Sequence, residues 1–194
     1  MRIEEEIKLD YSDVLFRPKR STLKSRKDVD LNRKYTFKHS RSSWKGIPII
    51  ASNMDGVGEI DVAKKLSSHK LMTALTKQHD INQIGTIYKK NIFFDSIALS
   101  CGTSKDSYNR LNSILKKYPK FKFICIDVAN GYSENFSNFV SEVRKKYPKK
   151  TIIAGNVVTA DMTQELVLSG ADIVKVGIGP GSVCTTRIQT GVGY

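Results

Sequence analysis

The chain has 194 residues, 40% of them hydrophobic and 26% charged, with a formal net charge of +13. That composition describes a globular domain able to bury a core and excludes a disordered polar chain. Short apolar runs such as IPIIA, the acidic opening MRIEEEIKLD and three cysteines without framework spacing argue against a membrane span, a secretory signal and a disulfide scaffold, and point to a reducing cytoplasm.

Residues 1–46 come first, basic through FRPKRSTLKSRKDV, and are expected to cover the bottom of the domain or reach a neighbouring subunit. A regular alternation begins at residue 47. A strand at 47–54 leads to a helix at 59–69, a strand at 71–77 and, with no helix assigned between, a strand at 95–102. A helix at 106–118, a strand at 123–130, a helix at 134–147, a strand at 151–157, a helix at 160–170 and a strand at 172–179 follow. Gly170 stands just past the last apolar turn of its helix, the usual place for a C-terminal glycine. The six strand starts step by 24, 24, 28, 28 and 21 residues.

Continuous Ile, Val and Phe runs suit strands covered on both faces, as in a parallel α/β sheet. Such a sheet is either open and doubly wound or closed as a TIM (β/α)8 barrel. Polar residues stand at the C-terminal end of every strand: Asn53 and Asp55, Lys77, Ser100, Asp127 and Asn130, Asn156, and then a glycine loop. Contributions from all strand ends favour the barrel, because an open sheet concentrates its site at one switch point. A barrel needs eight units and six are visible, so 1–194 is expected to be one catalytic barrel domain, C-terminally incomplete.

The loop reads VGIGPGSVCTTR, residues 176–187. Alternate glycines permit left-handed backbone and close ligand approach, and their amides and carbonyls can face an anion or a cation. The stretch is neither a P-loop nor a dinucleotide fingerprint, and no helix start is evident after it. A thiol here becomes nucleophilic if Arg187 and the loop amides stabilise its thiolate. Cys184 is therefore the candidate nucleophile, with Thr185 and Thr186 as hydroxyls able to move a proton. Cys125, mid-strand, reads as a small buried hydrophobe, while Cys101 reads either way. Asp127 and Asn130 could equally end a strand and cap a helix, and Lys77 could be a solvated strand-end lysine. His39, His69 and His79 have no metal-ligand spacing. The lysines are scattered through helix-like stretches and sit beside Pro and Tyr at helix ends, where they complement the dipole. A solvated face explains most of them, no nucleic-acid signature accompanies them, and a positive field would attract an anionic substrate.

At GIGPGSVCTTR the sequence resembles the IMP dehydrogenase and GMP reductase family, its reductase branch in particular. LDYSDVLFRPKRSTLKSR, GIPIIASNMD, ICIDVANGYSE and IIAGNVVTADM agree with that resemblance. The Thr-Thr-Arg after the thiol and the absence of a CBS-type regulatory insert after the second strand separate it from the dehydrogenases. The resemblance implies a TIM-barrel oxidoreductase that converts GMP to IMP and ammonia with NADPH, in purine nucleotide interconversion. It implies that Cys184 forms a covalent thioimidate at carbon 2 of the purine, that Thr186 manages protons and that Ser182 contacts the substrate phosphate. It places a K⁺ ion on carbonyls of Gly179, Gly181, Cys184 and Arg187. It places NADPH against Lys77, Asp127, Val128, Ala129, Ile178 and Gly179, with Ser25 and Arg26 from a neighbouring subunit of a homotetramer. Gly56, Thr76, Gln78 and Cys101 depart from the family pattern. Two strand units of the family are not seen, so the isolated chain is expected to lack turnover. The alternatives are a dehydrogenase without its insert, a non-catalytic nucleotide-binding half-barrel and a basic RNA-binding protein.

Overall fold

The computed structural model describes Ile3, Glu5, Ile7, Leu9 and residues 11–89 and 94–193. It divides into two units, Met1–Asp30 and Leu31–Tyr194. In the first unit, 3-10 turns form at Tyr11–Asp13 and Arg26–Asp28. Ser25 caps the second turn. Its hydroxyl accepts from the Lys27 N–H at 3.2 Å, and its own N–H donates to Asp28 Oδ2 at 3.0 Å, a reciprocal cap.

The second unit opens with an antiparallel hairpin, β1 (Arg33–Thr36) and β2 (Ser43–Gly46). Six parallel strands follow: β3 (Ile50–Ala51), β4 (Met72–Leu75), β5 (Ile97–Cys101), β6 (Phe123–Asp127), β7 (Thr151–Val157) and β8 (Ile173–Val176). Each pairs with its neighbours in sequence, in the order β3-β4-β5-β6-β7-β8. That order is singly wound, without the reversal of a doubly wound sheet. The helices are α1 (Ile60–Ser68), α2 (Ile81–Lys89), α3 (Lys105–Lys117), α4 (Glu134–Lys146), α5 (Ala160–Leu168) and α6 (Thr186–Thr190). All six sequence-predicted strands are present, although the one at 47–54 shrinks to two residues.

Strand alternation divides the core into two layers. On β6, Ile124 and Ile126 pack outward with Leu111, Ile114, Phe136 and Val140 of α3 and α4. Phe123 and Cys125 turn inward, with Met72, Ala74, Ala98 and Ile153 from other strands. The helices start where short polar side chains cap them: Ser104 Oγ accepts from Ser107 N–H at 3.3 Å, and Ser133 Oγ from Phe136 N–H at 3.2 Å. α5 has no such side-chain cap. Instead the Tyr132 hydroxyl accepts from the N–H groups of Val158 and Thr159 at 3.0 and 2.9 Å. Gly170 follows α5 at φ +112°, and a Cβ there would stand 2.7 Å from Arg144 Cγ.

The sheet curls. In a flat six-stranded sheet the outer strands would lie about 24 Å apart. Here Lys175 Nζ on β8 donates to Asn53 Oδ1, just beyond β3, at 3.0 Å. Two edge strands reach each other through side chains only when the sheet closes most of the way round.

The hairpin fills the N-terminal mouth of this curl. Phe37 and Trp44 are buried in the inner layer, and Phe37 meets Phe123 edge-on with ring centroids 5.7 Å apart. Asp172, its side chain fully buried, ties the hairpin to the strand starts. Its Oδ1 accepts from the N–H groups of His39 (2.8 Å) and Ser40 (3.3 Å), and its Oδ2 from Ile152 N–H (3.1 Å) and Arg144 (2.7 Å).

Candidate active site

The open end of the curl gathers the C-terminal ends of the strands. β8 feeds the glycine loop directly. Gly177 lies at φ +135° and Gly179 at φ +63°, a region where a side chain is strained. A Cβ on Gly179 would also stand 2.9 Å from Arg187 Cγ. The two features together bring the chain back over itself, so that Ile178 is buried while Val183 is 91% exposed. The loop then enters α6 at Thr186, a short helix that the sequence reading did not anticipate. Its C-cap is Gly191 at φ +67°.

Cys184 sits two residues before that helix, half-buried, with its Sγ 3.3 Å from Thr186 Oγ1. As a thiol it donates to the threonine oxygen. As a thiolate it accepts from the same hydroxyl, turned about its C–O bond. That charge-assisted bond leads the factors that lower the Cys184 pKa below the ordinary thiol value, followed by the Thr186 backbone N–H and the nearby Arg187 charge. The other cysteines go the opposite way. Cys101 faces the helix layer with no exposed surface, and burial pushes its thiol up to about 12. Cys125 is in the inner layer, and burial pushes it up to about 11. Of the three thiols, Cys184 is the partly exposed one and the one whose pKa is lowered.

Asp127 ends β6 and forms an ion pair with Lys175, which also holds Asn53. Lys175 escaped the sequence reading, hidden inside an apolar strand. Its signal was the inward register shared with Ile173, at the polar end of the strand. Lys77 follows β4, exposed, with its Nζ beside Gly102: a Cβ there would be 4.0 Å away. Val128 is held by backbone bonds, its N–H on Gly155 O and its carbonyl accepting from Asn156, both at 2.9 Å, while Ala129 is exposed. Asn130 makes an Asx turn, its Oδ1 accepting from Tyr132 N–H at 3.1 Å. Ser182 is exposed in the loop. Ser25 and Arg26 belong to the separate first unit, where they form the capped 3-10 turn. Gly56 adopts φ +74°, which would strain a threonine; Thr76 is buried and Gln78 exposed.

Two of the four carbonyls that the resemblance implies for a monovalent cation already accept backbone bonds, one in the loop and one at the C-cap of α6. Gly181 O accepts from Cys184 N–H and Arg187 O from Gly191 N–H, each at 3.0 Å. Each retains a second lone pair, so an all-carbonyl donor set remains compatible with K⁺. Among the described residues no group of three or more His, Cys, Asp and Glu side chains is placed to hold a metal. No described helix is long and apolar enough to cross a membrane.

Fold and site together define a singly wound α/β half-barrel with a free, partly exposed thiol on the loop after its sixth parallel strand. The chain belongs to the IMP dehydrogenase / GMP reductase domain family, whose model matches residues 8–194. It is 55% identical over 196 residues to the GMP reductase of Yersinia enterocolitica serotype O:8 and 53% identical over 196 residues to that of Aeromonas hydrophila. Each match covers 100% of this chain and 56% of the relative, so the chain spans little more than half of their length. A crystal structure of inosine 5' monophosphate dehydrogenase from Legionella pneumophila matches with a TM-score of 0.77 at 28% identity, over 96% of this chain and 55% of that one. The six strands are thus consecutive units of a TIM barrel.

Proposed function

We propose that this protein is a GMP reductase, carrying out the NADPH-dependent, irreversible reductive deamination of GMP to IMP and ammonia. The relatives of that name, at nearly twice the sequence identity of the dehydrogenase structure, support the reductase branch. The observation that carries the chemistry is the Cys184–Thr186 contact at 3.3 Å on a solvent-facing loop.

The Cys184 thiolate adds to carbon 2 of the guanine base, forming a C–S bond. The exocyclic amine is protonated and its C–N bond breaks, releasing ammonia and leaving a thioimidate on Cys184. Thr186 holds the sulfur charge before attack and relays the proton to the leaving amine. NADPH, if held at this rim, would supply hydride-transfer chemistry at carbon 2; Cys184 then leaves, its sulfur taking back the C–S electron pair and freeing IMP. Thiolate suits both halves because it is a good nucleophile and a good leaving group.

Ser182 and the loop amides hold the substrate phosphate. Lys77, Asp127, Val128, Ala129, Ile178 and Gly179 hold the cofactor: a cation, a carboxylate and backbone groups around one rim. Ser25 and Arg26 add to the cofactor site of a neighbouring subunit in a homotetramer, which light scattering would register. The carbonyls of Gly179, Gly181, Cys184 and Arg187 hold K⁺ and stiffen the loop. Residues 1–194 act within one catalytic barrel domain, and a cytoplasmic setting keeps Cys184 reduced. The test is a paired assay of the full-length protein. NADPH oxidation with GMP is expected; NAD⁺ reduction with IMP instead would identify a dehydrogenase.

A further inference from the structure

Lys175 is an inward-facing charge, sharing the face of Ile173 on β8, that the proposed chemistry leaves without a role. It lies on β8, 122 residues from Asn53 and 48 from Asp127, yet its ammonium reaches both. The lysine and aspartate side chains are 30% and 22% exposed, so the pair is neither a solvated surface contact nor sealed in the core. The fold makes room for it. Gly155 pairs with Lys175 across β7 and β8, and a Cβ at Gly155 would stand 2.6 Å from both Lys175 Cβ and its carbonyl oxygen. Any other residue at 155 would push the lysine backbone aside.

We propose that Lys175 is a positioning residue: its ammonium fixes the Asp127 carboxylate and the Asn53 amide in one orientation at the barrel mouth, and so presents Asp127 to the cofactor. This rests on the reading of Asp127 as a cofactor contact. A carboxylate at the end of a strand can swing about two side-chain bonds. Pairing one oxygen with Lys175 removes that freedom and leaves Oδ2 to accept from a ligand. Asn53, from the first parallel strand, anchors the ammonium on its other side. The aspartate direction is then set jointly by the first, fourth and sixth strands, so it depends on curl of the sheet rather than on β6 alone.

The test measures NADPH affinity of the full-length protein, by cofactor fluorescence, in wild type, Lys175→Met, Lys175→Arg, Asp127→Asn and Lys175→Met/Asp127→Asn. Lys175→Met is expected to weaken NADPH about tenfold, the scale of one lost charge-assisted hydrogen bond. Lys175→Arg retains the cation and restores most of the affinity. A residue acting through Asp127 has nothing left to lose once Asp127 is changed, so the double variant should match Asp127→Asn alone. A merely structural lysine would give multiplicative losses and a lowered melting temperature with no rescue, which would overturn the proposal. If Lys175→Met does not fold, Asn53→Ala replaces it, with a smaller loss that likewise vanishes in the Asp127→Asn background. Wild type without saturable NADPH binding would contradict the functional reading itself. Saturable wild-type binding that Lys175→Met leaves unchanged would contradict only the role of Lys175.

Discussion

The guanidinium of Arg144 meets the carboxylate of Asp172 at 2.7 Å, with the aspartate side chain fully buried. One charge at the start of β8 thereby joins α4, the start of β7 and the β1–β2 hairpin. Removing one partner of a buried ion pair costs about 3–5 kcal/mol, because the other charge is left without compensation. Asp172→Ala is expected to lose about that much in urea denaturation. A loss under about 1 kcal/mol would place this cluster among surface pairs of little consequence.

Trp44 is the only tryptophan and is 6% exposed beneath the inner layer. Its emission should be blue-shifted in the native state and shift red when the hairpin detaches. Phe37→Ala removes the edge-on partner of Phe123 and is expected to destabilise the protein by about 3 kcal/mol. An unchanged midpoint for the tryptophan signal would show that the hairpin is not part of the core.

The three thiols should separate by environment. Under native conditions at pH 7, one thiol per chain is expected to react quickly with an aromatic disulfide reagent, and three after denaturation. Peptide mapping should assign the fast one to Cys184. Fast labelling of Cys101, whose pKa of about 12 leaves almost no thiolate, would contradict the burial found here.

Cys184 should titrate below an ordinary thiol. The thiolate is the reactive species, so alkylation rate rises with pH and levels off above the Cys184 pKa. With the pKa lowered, that plateau arrives at a lower pH than for a free cysteine. Thr186→Val removes the hydroxyl that stabilises the thiolate and should move the midpoint upward while preserving side-chain size. A midpoint unaffected by Thr186→Val would remove threonine from the account.

Much of the fold was legible because buried parallel strands write continuous apolar runs, and amphipathic helices write three- and four-residue spacing. α2 was not, because Gly85 interrupts its pattern. A Cβ there would stand 2.5 Å from the Tyr118 hydroxyl, so glycine serves the packing of α2 rather than breaking it. The missed signal was Asp80, which accepts from the N–H of Asn82 at 2.7 Å and Gln83 at 2.8 Å, while Gln83 Oε1 accepts from Asp80 N–H at 2.8 Å. The hairpin was hidden for another reason: RKYT is wholly exposed, and Phe37 and Trp44 are held by partners from distant strands. At the site, the thiol and its glycines could be found locally. Lys175 offered one local signal, the inward register it shares with Ile173, while its partners Asn53 and Asp127 lie far away in sequence and meet it only when the sheet curls.

The most direct measurement is mass spectrometry of the full-length protein quenched during turnover with GMP and NADPH. A purine-nucleotide adduct on the peptide containing Cys184, absent in Cys184→Ala, is the predicted result. An unmodified Cys184 peptide in a sample that is converting GMP to IMP would contradict the account.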